Sequence, residues 1–351
     1  MSLPRVAIVL FNLGGPDRPE AIAPFLLNLF RDPAILTVPW PIRPLLARRI
    51  TRIRLGPARE SYARLGGRSP LLEQTEQQAA LLAAALPEIE ARVFIAMRYW
   101  HPLSEEAARA VARWDPDEVL LLPLYPQFST TTTASSLKAW REAAIKAGLA
   151  KTTRTICCWY ADRAFVAALV GILRRGLAEA RAALPPGTPL RILFSAHGLP
   201  ERIVRAGDPY RMQVEATMAA ILAALGGDAP ESRLCFQSRA TPERWLQPST
   251  DEEIRSAGGK HVALLVVPIA FVSEHSETLV ELDVDYRELA AKAGVPAYFR
   301  MPTPGVDAAF IQALAGLVRQ VRTRAPGLST LSGCGSCGFA HRACPKEGLP
   351  A

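Results

Sequence analysis

Three short clusters in this chain carry residue types that move protons or hold cations. The first is Ser195-Ala-His197-Gly-Leu-Pro200. An imidazole changes charge near neutral pH, so His197 could take a proton or bind a metal. The second is Ser273-Glu-His-Ser-Glu277, which runs on through Glu281, Asp285 and Glu288. Glu274, Glu277, Glu281, Asp285 and Glu288 are spaced 3, 4, 4 and 3 apart, which puts all five on one face of a helix. Like charges at that spacing repel, so a cation should neutralise them. Carboxylate oxygen beside the imidazole of His275 suits a borderline divalent ion such as Fe2+. The third is Cys334-x2-Cys337-x6-Cys344, close enough to act as thiolate ligands. A fourth ligand could be His341, giving a local zinc site of three cysteines and one histidine. It could instead be Cys157 or Cys158, giving an all-cysteine iron–sulfur site. Cys235, in mid-strand, reads as core.

The elements that must position these groups read as strands alternating with helices. Strands are expected at 6–13, 93–99, 118–125 and 154–159, and again at 190–195, 233–237, 262–271 and 296–301. Helices are expected from Glu20, over 71–86, over 164–183 and over 307–322. The helix after Ser273 should be capped by it and pack through Leu279, Leu282, Tyr286 and Leu289. Leu121-Leu-Pro-Leu-Tyr-Pro-Gln-Phe-Ser matches Leu265-Val-Val-Pro-Ile-Ala-Phe-Val-Ser crudely, each with a proline in the strand and a polar loop after it. The expectation is an α/β fold of two similar Rossmann-like, doubly wound domains, with parallel four-stranded sheets facing a central cleft. Residues 1–165 form the first domain, joined by the helix 305–325, residues 166–304 the second, and 326–351 a Cys-rich tail. His197 should then lie where a strand ends, at the edge that binds ligands in such sheets.

Composition narrows the function. The 351 residues are 49% hydrophobic and 21% charged, as in an ordinary soluble protein. The chain opens without a secretory leader, which implies a cytosolic protein and argues against structural disulfides among its six cysteines. The net charge of +8 comes without a basic block interleaved with aromatics, so nucleic acid is not the expected partner. Residues 33–56 combine prolines 33, 39, 41 and 44 with Trp40, Ile42 and arginines 43, 48, 49, 52 and 54. That reads either as a loop suited to an anionic membrane surface or as a loop packed over the core. Gly14-Gly15 ends the first strand without the third glycine of a dinucleotide fingerprint, which excludes NAD.

Further motifs lie in the same order as in a known family. They are Asn12-Leu-Gly-Gly-Pro16, Gly66-Gly-Arg-Ser-Pro70, Arg98-Tyr99-Trp-His-Pro102, Leu124-Tyr-Pro-Gln-Phe-Ser129, Phe236-Gln-Ser238 with Trp245, and Pro268 through Glu277. With the histidine motif, the chain resembles the ferrochelatases from Val6 to about Arg322. The resemblance implies insertion of Fe2+ into protoporphyrin IX, with His197 and Glu277 as catalytic residues. It implies contact of the substrate iron with His197, Glu277, Glu274, His275 and Glu281. Leu13, Tyr99 and Trp245 would wall the porphyrin, and Arg98, Tyr125 and Ser129 would contact it.

Some members of that family carry a [2Fe–2S] cluster on three C-terminal cysteines and one internal cysteine. By that likeness the ligands here are Cys158, Cys334, Cys337 and Cys344. The internal cysteine found after Tyr-Pro-Gln in animal members is absent, since that loop reads Ser-Thr-Thr-Thr-Thr, and the last cysteine gap is longer. The implied location is cytoplasmic or peripheral on the inner membrane, as monomer or homodimer. Coproporphyrin, or another metal, is the alternative within the family. A non-catalytic two-lobed porphyrin- or metal-binding protein and an iron–sulfur redox enzyme are the alternatives outside it.

Overall fold

The computed structural model describes residues 3–227, 229–238, 243–331 and 343. In chain order the elements are β1 (Arg5–Asn12), α1 (Ile22–Arg31), α2 (Arg43–Ala63), α3 (Leu71–Ala84), β2 (Glu90–Met97), α4 (Ser104–Trp114), β3 (Glu118–Pro123), α5 (Thr133–Lys146) and β4 (Thr152–Cys158). Next come α6 (Arg163–Ala183), β5 (Leu190–His197), α7 (Glu201–Arg205), α8 (Tyr210–Leu225), β6 (Glu231–Gln237), α9 (Thr250–Gly259) and β7 (Ala263–Pro268). A π-helix (Glu277–Asp285), α10 (Tyr286–Lys292), β8 (Tyr298–Arg300), α11 (Ala308–Arg322) and β9 (Gly327–Thr330) complete the chain.

Two compact units result, Met1–Cys158 with Leu314–Leu331, and Trp159–Ala313. Their sheets run β2-β1-β3-β4-β9 and β6-β5-β7-β8, parallel throughout. Leaving β9 aside, each has its strands in the order second, first, third, fourth. β1 and β5 pair on both sides and are covered on both faces, so Val6–Asn12 and Arg191–Ala196 are buried without a break. Such strands read as largely apolar runs, and the charged exception, Arg191, is paired with Glu231 at 2.9 Å. β2 and β6 are edge strands, and their first halves alternate in exposure. The expected four-stranded first sheet therefore needs correction: the stretch assigned to the tail supplies a fifth strand, β9, beside β4.

The first unit packs Val9, Phe11, Phe94, Val119, Leu121 and Trp140 into one core. The second packs Leu193, Cys235, Ile254, Leu264, Leu282, Tyr286 and Tyr298. Burial pushes the Cys235 thiol up to about 12, as befits the core residue expected.

Two local expectations fail for physical reasons. Residues 33–56 are a loop only as far as Ile42, after which α2 runs for 21 residues. Pro44 sits in the first turn, where a missing N–H leaves no bond unmade. After β7, the expected α-helix capped by Ser273 is instead a π-helix that starts at Glu277. It buries Thr278, Val280 and Leu282, and Thr278 and Leu282 continue into Tyr286 and Ala290 at a repeat of four, longer than the 3.6 of an α-helix. Leu279 and Leu289, expected in the core, are only half-buried.

Candidate active site

β5 ends on His197, and Gly198 turns the chain beside the end of β6. The Gly198 N–H donates to the Gln237 carbonyl at 2.7 Å. A Cβ at 198 would come within 3.0 Å of that same oxygen, so the close approach requires glycine. Tyr210 donates its hydroxyl to the His197 carbonyl at 3.0 Å, and Trp245 stands edge-on to the imidazole with ring centroids 6.4 Å apart. The His197 ring is thus held by backbone, Tyr210 and Trp245, with about a third of its side chain exposed.

The His197 Nδ1–H donates to Glu277 Oε2 at 2.9 Å. Because a carboxylate can only accept, Nδ1 carries the hydrogen, and Nε2 is the atom that gains or loses a proton. Burial disfavours the imidazolium, but the Glu277 charge outweighs it and raises the His197 pKa. Burial likewise opposes ionisation of Glu277, yet His197 and His275 hold its carboxyl well below the usual range. His275 Nδ1 donates to the Ser273 carbonyl at 3.2 Å, and its Nε2 lies 3.8 Å from Glu277 Oε2.

Glu281 behaves in the opposite way to Glu277. It accepts from the Ser238 N–H at 2.9 Å, the Ser238 hydroxyl at 2.5 Å, Gln237 Nε2 at 3.2 Å and the Tyr286 hydroxyl at 3.1 Å. Burial and the neighbouring Glu277 charge nevertheless raise its pKa. Two carboxylates a turn apart are thereby pushed in opposite directions, the signature of an acid and a base assigned by environment. A cavity of about 370 Å3 opens beside them, lined by Glu281, Asp285 and Tyr286 with Asp251, Glu252 and Arg255 of α9. Asp285 is exposed. Exposed and half-buried carboxylates thus lead in steps from solvent to the His197–Glu277 pair.

The structure does not treat all the expected residues alike. Glu274, expected on the iron path, has both oxygens held by Arg300 at 2.9 and 3.1 Å and accepts from the Thr303 N–H at 2.8 Å. Burial opposes its charge, but Arg300 keeps its pKa low. Among the described residues no group of three His, Cys, Asp or Glu side chains forms a closed metal cluster.

In the first unit, Arg98 pairs with buried Asp32 at 2.7 Å, and Tyr99 donates to Asp32 at 2.8 Å. Ser135 donates to the same carboxylate and accepts from Arg98 Nε. Tyr99 has no exposed surface, so any part it takes in gripping a ligand runs through the residues it supports. Leu13 is half-buried, and its N–H is held by the Asn12 side chain at 2.8 Å. The Tyr125 hydroxyl is buried, which pushes its pKa up. Ser129 shapes the threonine loop. Its carbonyl accepts from the Thr132 and Ala134 N–H groups, and its hydroxyl accepts from the Thr131 N–H.

The Cys158 thiol is buried, 3.1 Å from Thr330 Oγ1 and 3.6 Å from the Cys157 sulfur. Adjacent strand residues should face opposite sides, but the register of β4 against β9 shifts between Ile156 and Cys158. Here the two sulfurs lie together instead. Cys334, Cys337, Cys344 and His341 fall outside the described residues. Sequence reasoning missed Asp32, Gln237 as a ligand of Glu281, and Arg300. None has a spacing that singles it out.

A parallel α/β fold of two like-ordered units, one carrying histidine and staggered carboxylates at its strand ends, defines a metal chelatase. The same fold is seen in the solved structure of SirB from Bacillus subtilis with Fe3+, at TM-score 0.53 and 13% identity, covering 90% of this chain and 95% of that one. The chain belongs to the ferrochelatase family, whose model matches residues 5–322. It is 50% identical to the ferrochelatase of Caulobacter vibrioides over 99% of both chains. It is 52% identical to that of Phenylobacterium zucineum, over 89% of this chain and 90% of that one.

Proposed function

We propose that the chain inserts Fe2+ into protoporphyrin IX, the terminal step of haem biosynthesis, with His197 and Glu277 as its catalytic pair. The observation that supports these roles is the 2.9 Å His197–Glu277 contact with Glu281 shifted the other way beside it. Insertion removes two pyrrole protons and changes no oxidation state. Glu277 holds Nδ1, which leaves His197 Nε2 to take a proton, and the raised pKa strengthens that base. Glu281, which keeps its proton more readily than Glu277, passes protons or the cation onward. Asp285 meets the cation at the cavity mouth, and His275 lends a second imidazole. Trp245 offers an apolar wall beside His197, Leu13, Arg98, Tyr125 and Ser129 are porphyrin contacts in this reading, and Tyr99 supports Arg98 through Asp32. A site that favours a bent macrocycle turns its nitrogen lone pairs toward the metal, which stabilises the transition state rather than the flat substrate. An anaerobic assay with Fe2+ and either protoporphyrin IX or coproporphyrin tests the reading. Protohaem should form, and faster turnover of coproporphyrin would move the substrate to that alternative.

The tail 326–351 is proposed to hold a [2Fe–2S] cluster on Cys158, Cys334, Cys337 and Cys344. The donor fits: the Cys158 thiol is buried, and Thr330 touches it with Cys334 four positions further along. A bound cluster would supply a cross-link and visible absorption rather than electrons for insertion. The purified protein should be brown, and Cys158→Ser should bleach it while His341→Ala should not. A colourless protein carrying zinc released by His341→Ala would favour the site of three cysteines and one histidine, and retained colour in Cys158→Ser would point to Cys157.

No described helix is long and apolar enough to cross a membrane. Trp40, Ile42, Leu45 and Ile53 are exposed, as are Arg48, Arg49 and Arg52 on α2. Apolar insertion with basic flanks suits peripheral attachment to anionic lipid. Sedimentation with anionic liposomes should show binding that weakens with salt. The absence of binding at low salt would return this face to solvent.

A further inference from the structure

We propose that Arg300, with Tyr298 beside it on β8, is the positioning residue that sets Glu277 and Glu281 against His197. The inference rests on the chelatase reading for the reaction it serves. β8 is an edge strand that pairs with β7 through three residues, among them Leu264↔Tyr298 and Val266↔Arg300. Tyr298 and Arg300 are two apart, so they leave the strand on the same face. Arg300 Nε and Nη2 donate to the two oxygens of Asp283 at 2.8 and 2.6 Å. Its Nη1 donates to both oxygens of Glu274, at 2.9 and 3.1 Å. Tyr298 donates its hydroxyl to the Leu282 carbonyl at 2.7 Å. Arg287, one turn on, closes the loop by donating to the Tyr298 carbonyl at 2.8 Å.

One short strand thus grips the acidic segment at two places, residue 274 and residues 282–283. His275, Glu277 and Glu281 lie between those grips. That segment needs holding. A π-helix is rare, and here it carries mutually repelling carboxylates with little reason of its own to keep that pitch. Arg300 binds the two carboxylates that flank the reacting ones. It thereby leaves Glu277 to His197 and Glu281 to Ser238. Its side chain is only 10% exposed, so solvent does not screen the contacts away. A flat guanidinium can fork between two carboxylates, whereas an ammonium presents a single point of charge.

The test uses the full chain with Arg300→Gln, Arg300→Lys, Asp283→Asn and Tyr298→Phe, assayed well below each variant's Tm. Arg300→Gln should lower kcat about 100-fold, as misplacement of reacting groups does, and should leave KM for porphyrin unchanged. Amide exchange should quicken through Glu277–Asp285 and stay slow in β5. Arg300→Lys should recover part of kcat, and Asp283→Asn and Tyr298→Phe should fall between. Should Arg300→Gln not fold, the last two variants carry the test alone. A folded variant with lower Tm but wild-type kcat and unchanged exchange in the π-helix would overturn the proposal and leave Arg300 a plain stabilising contact. A wild type that makes no haem would sink the functional reading instead, and the exchange measurement would still decide whether β8 sets the π-helix.

Discussion

The two units share a strand order but treat charge in opposite ways at their strand ends. In the first, β1 ends on Asn12, β2 on Arg98-Tyr99 and β3 on a hydroxyl-rich loop. The one buried carboxylate among the described residues there, Asp32, collects Arg98, Tyr99, Ser135 and the Ala34 N–H. In the second, β5 ends on His197, β6 on Gln237-Ser238 and β7 on the segment carrying His275, Glu277 and Glu281. Among the described residues there, carboxylates outnumber cations beside His197, and Glu277 and Glu281 shift in opposite directions. The same scaffold therefore gives one unit whose internal charge is matched and one whose charge is left in excess. Matched charge stabilises structure, while excess charge invites a cation or a proton.

If that contrast is right, substitutions in the second unit should cost rate rather than stability. His197→Ala should fold and lose insertion by about 1,000-fold, within the range for loss of a general base. Glu277→Gln keeps the side-chain shape and removes the charge that raises the His197 pKa. It should cripple turnover while porphyrin binding, followed by fluorescence quenching, stays measurable. If affinity and rate fell together in Glu277→Gln, Glu277 would be a binding residue and the contrast would weaken.

The first unit should respond the other way. Asp32→Asn leaves the half-buried Arg98 beside a neutral group, and because Asp32 itself is buried the broken pair should cost up to about 3–5 kcal/mol. Denaturant unfolding should show that loss. Turnover per folded molecule should change through KM for porphyrin, not through KM for Fe2+. A specific effect on Fe2+ would mean that the first unit also handles the metal.

How far each half could be read from its sequence follows from the same difference. The central strands were legible because burial on both faces favours apolar residues, as in Val6 to Phe11 and Ile192 to Phe194. The position of His197 was legible because a titratable side chain ends such a strand, whereas Glu277 stood out through the acidic spacing and the family resemblance. The π-helix was not, since an acidic repeat of three and four fits an α-helix equally well. Its longer turn depends on Gln237 and Tyr298, which reach the Glu277 and Leu282 carbonyls from other strands. Asp32 and Arg300 were invisible for the same reason. Each is one charged residue whose partner lies far along the chain.

The smallest expected effect is a difference in pH response. His197 has a raised pKa in the folded state, so the stabilisation it brings is complete below its unfolded value of about 6.5. It is lost as pH climbs through the raised folded value. Glu277 has a depressed pKa, so its contribution is present above about 4.3 and lost only as pH falls through the lower folded value. The pair therefore supports the second unit best between about 4.3 and 6.5, and progressively less toward alkaline pH. Exchange rates, corrected for their intrinsic pH dependence, should show protection of Glu277–Asp285 declining relative to β1 as pH rises past neutrality. The decline should shrink in Glu277→Gln, where only the Glu281 charge still holds the His197 pKa up. Equal decline in both units would show that the excess charge is spread over the whole protein rather than stored at this site.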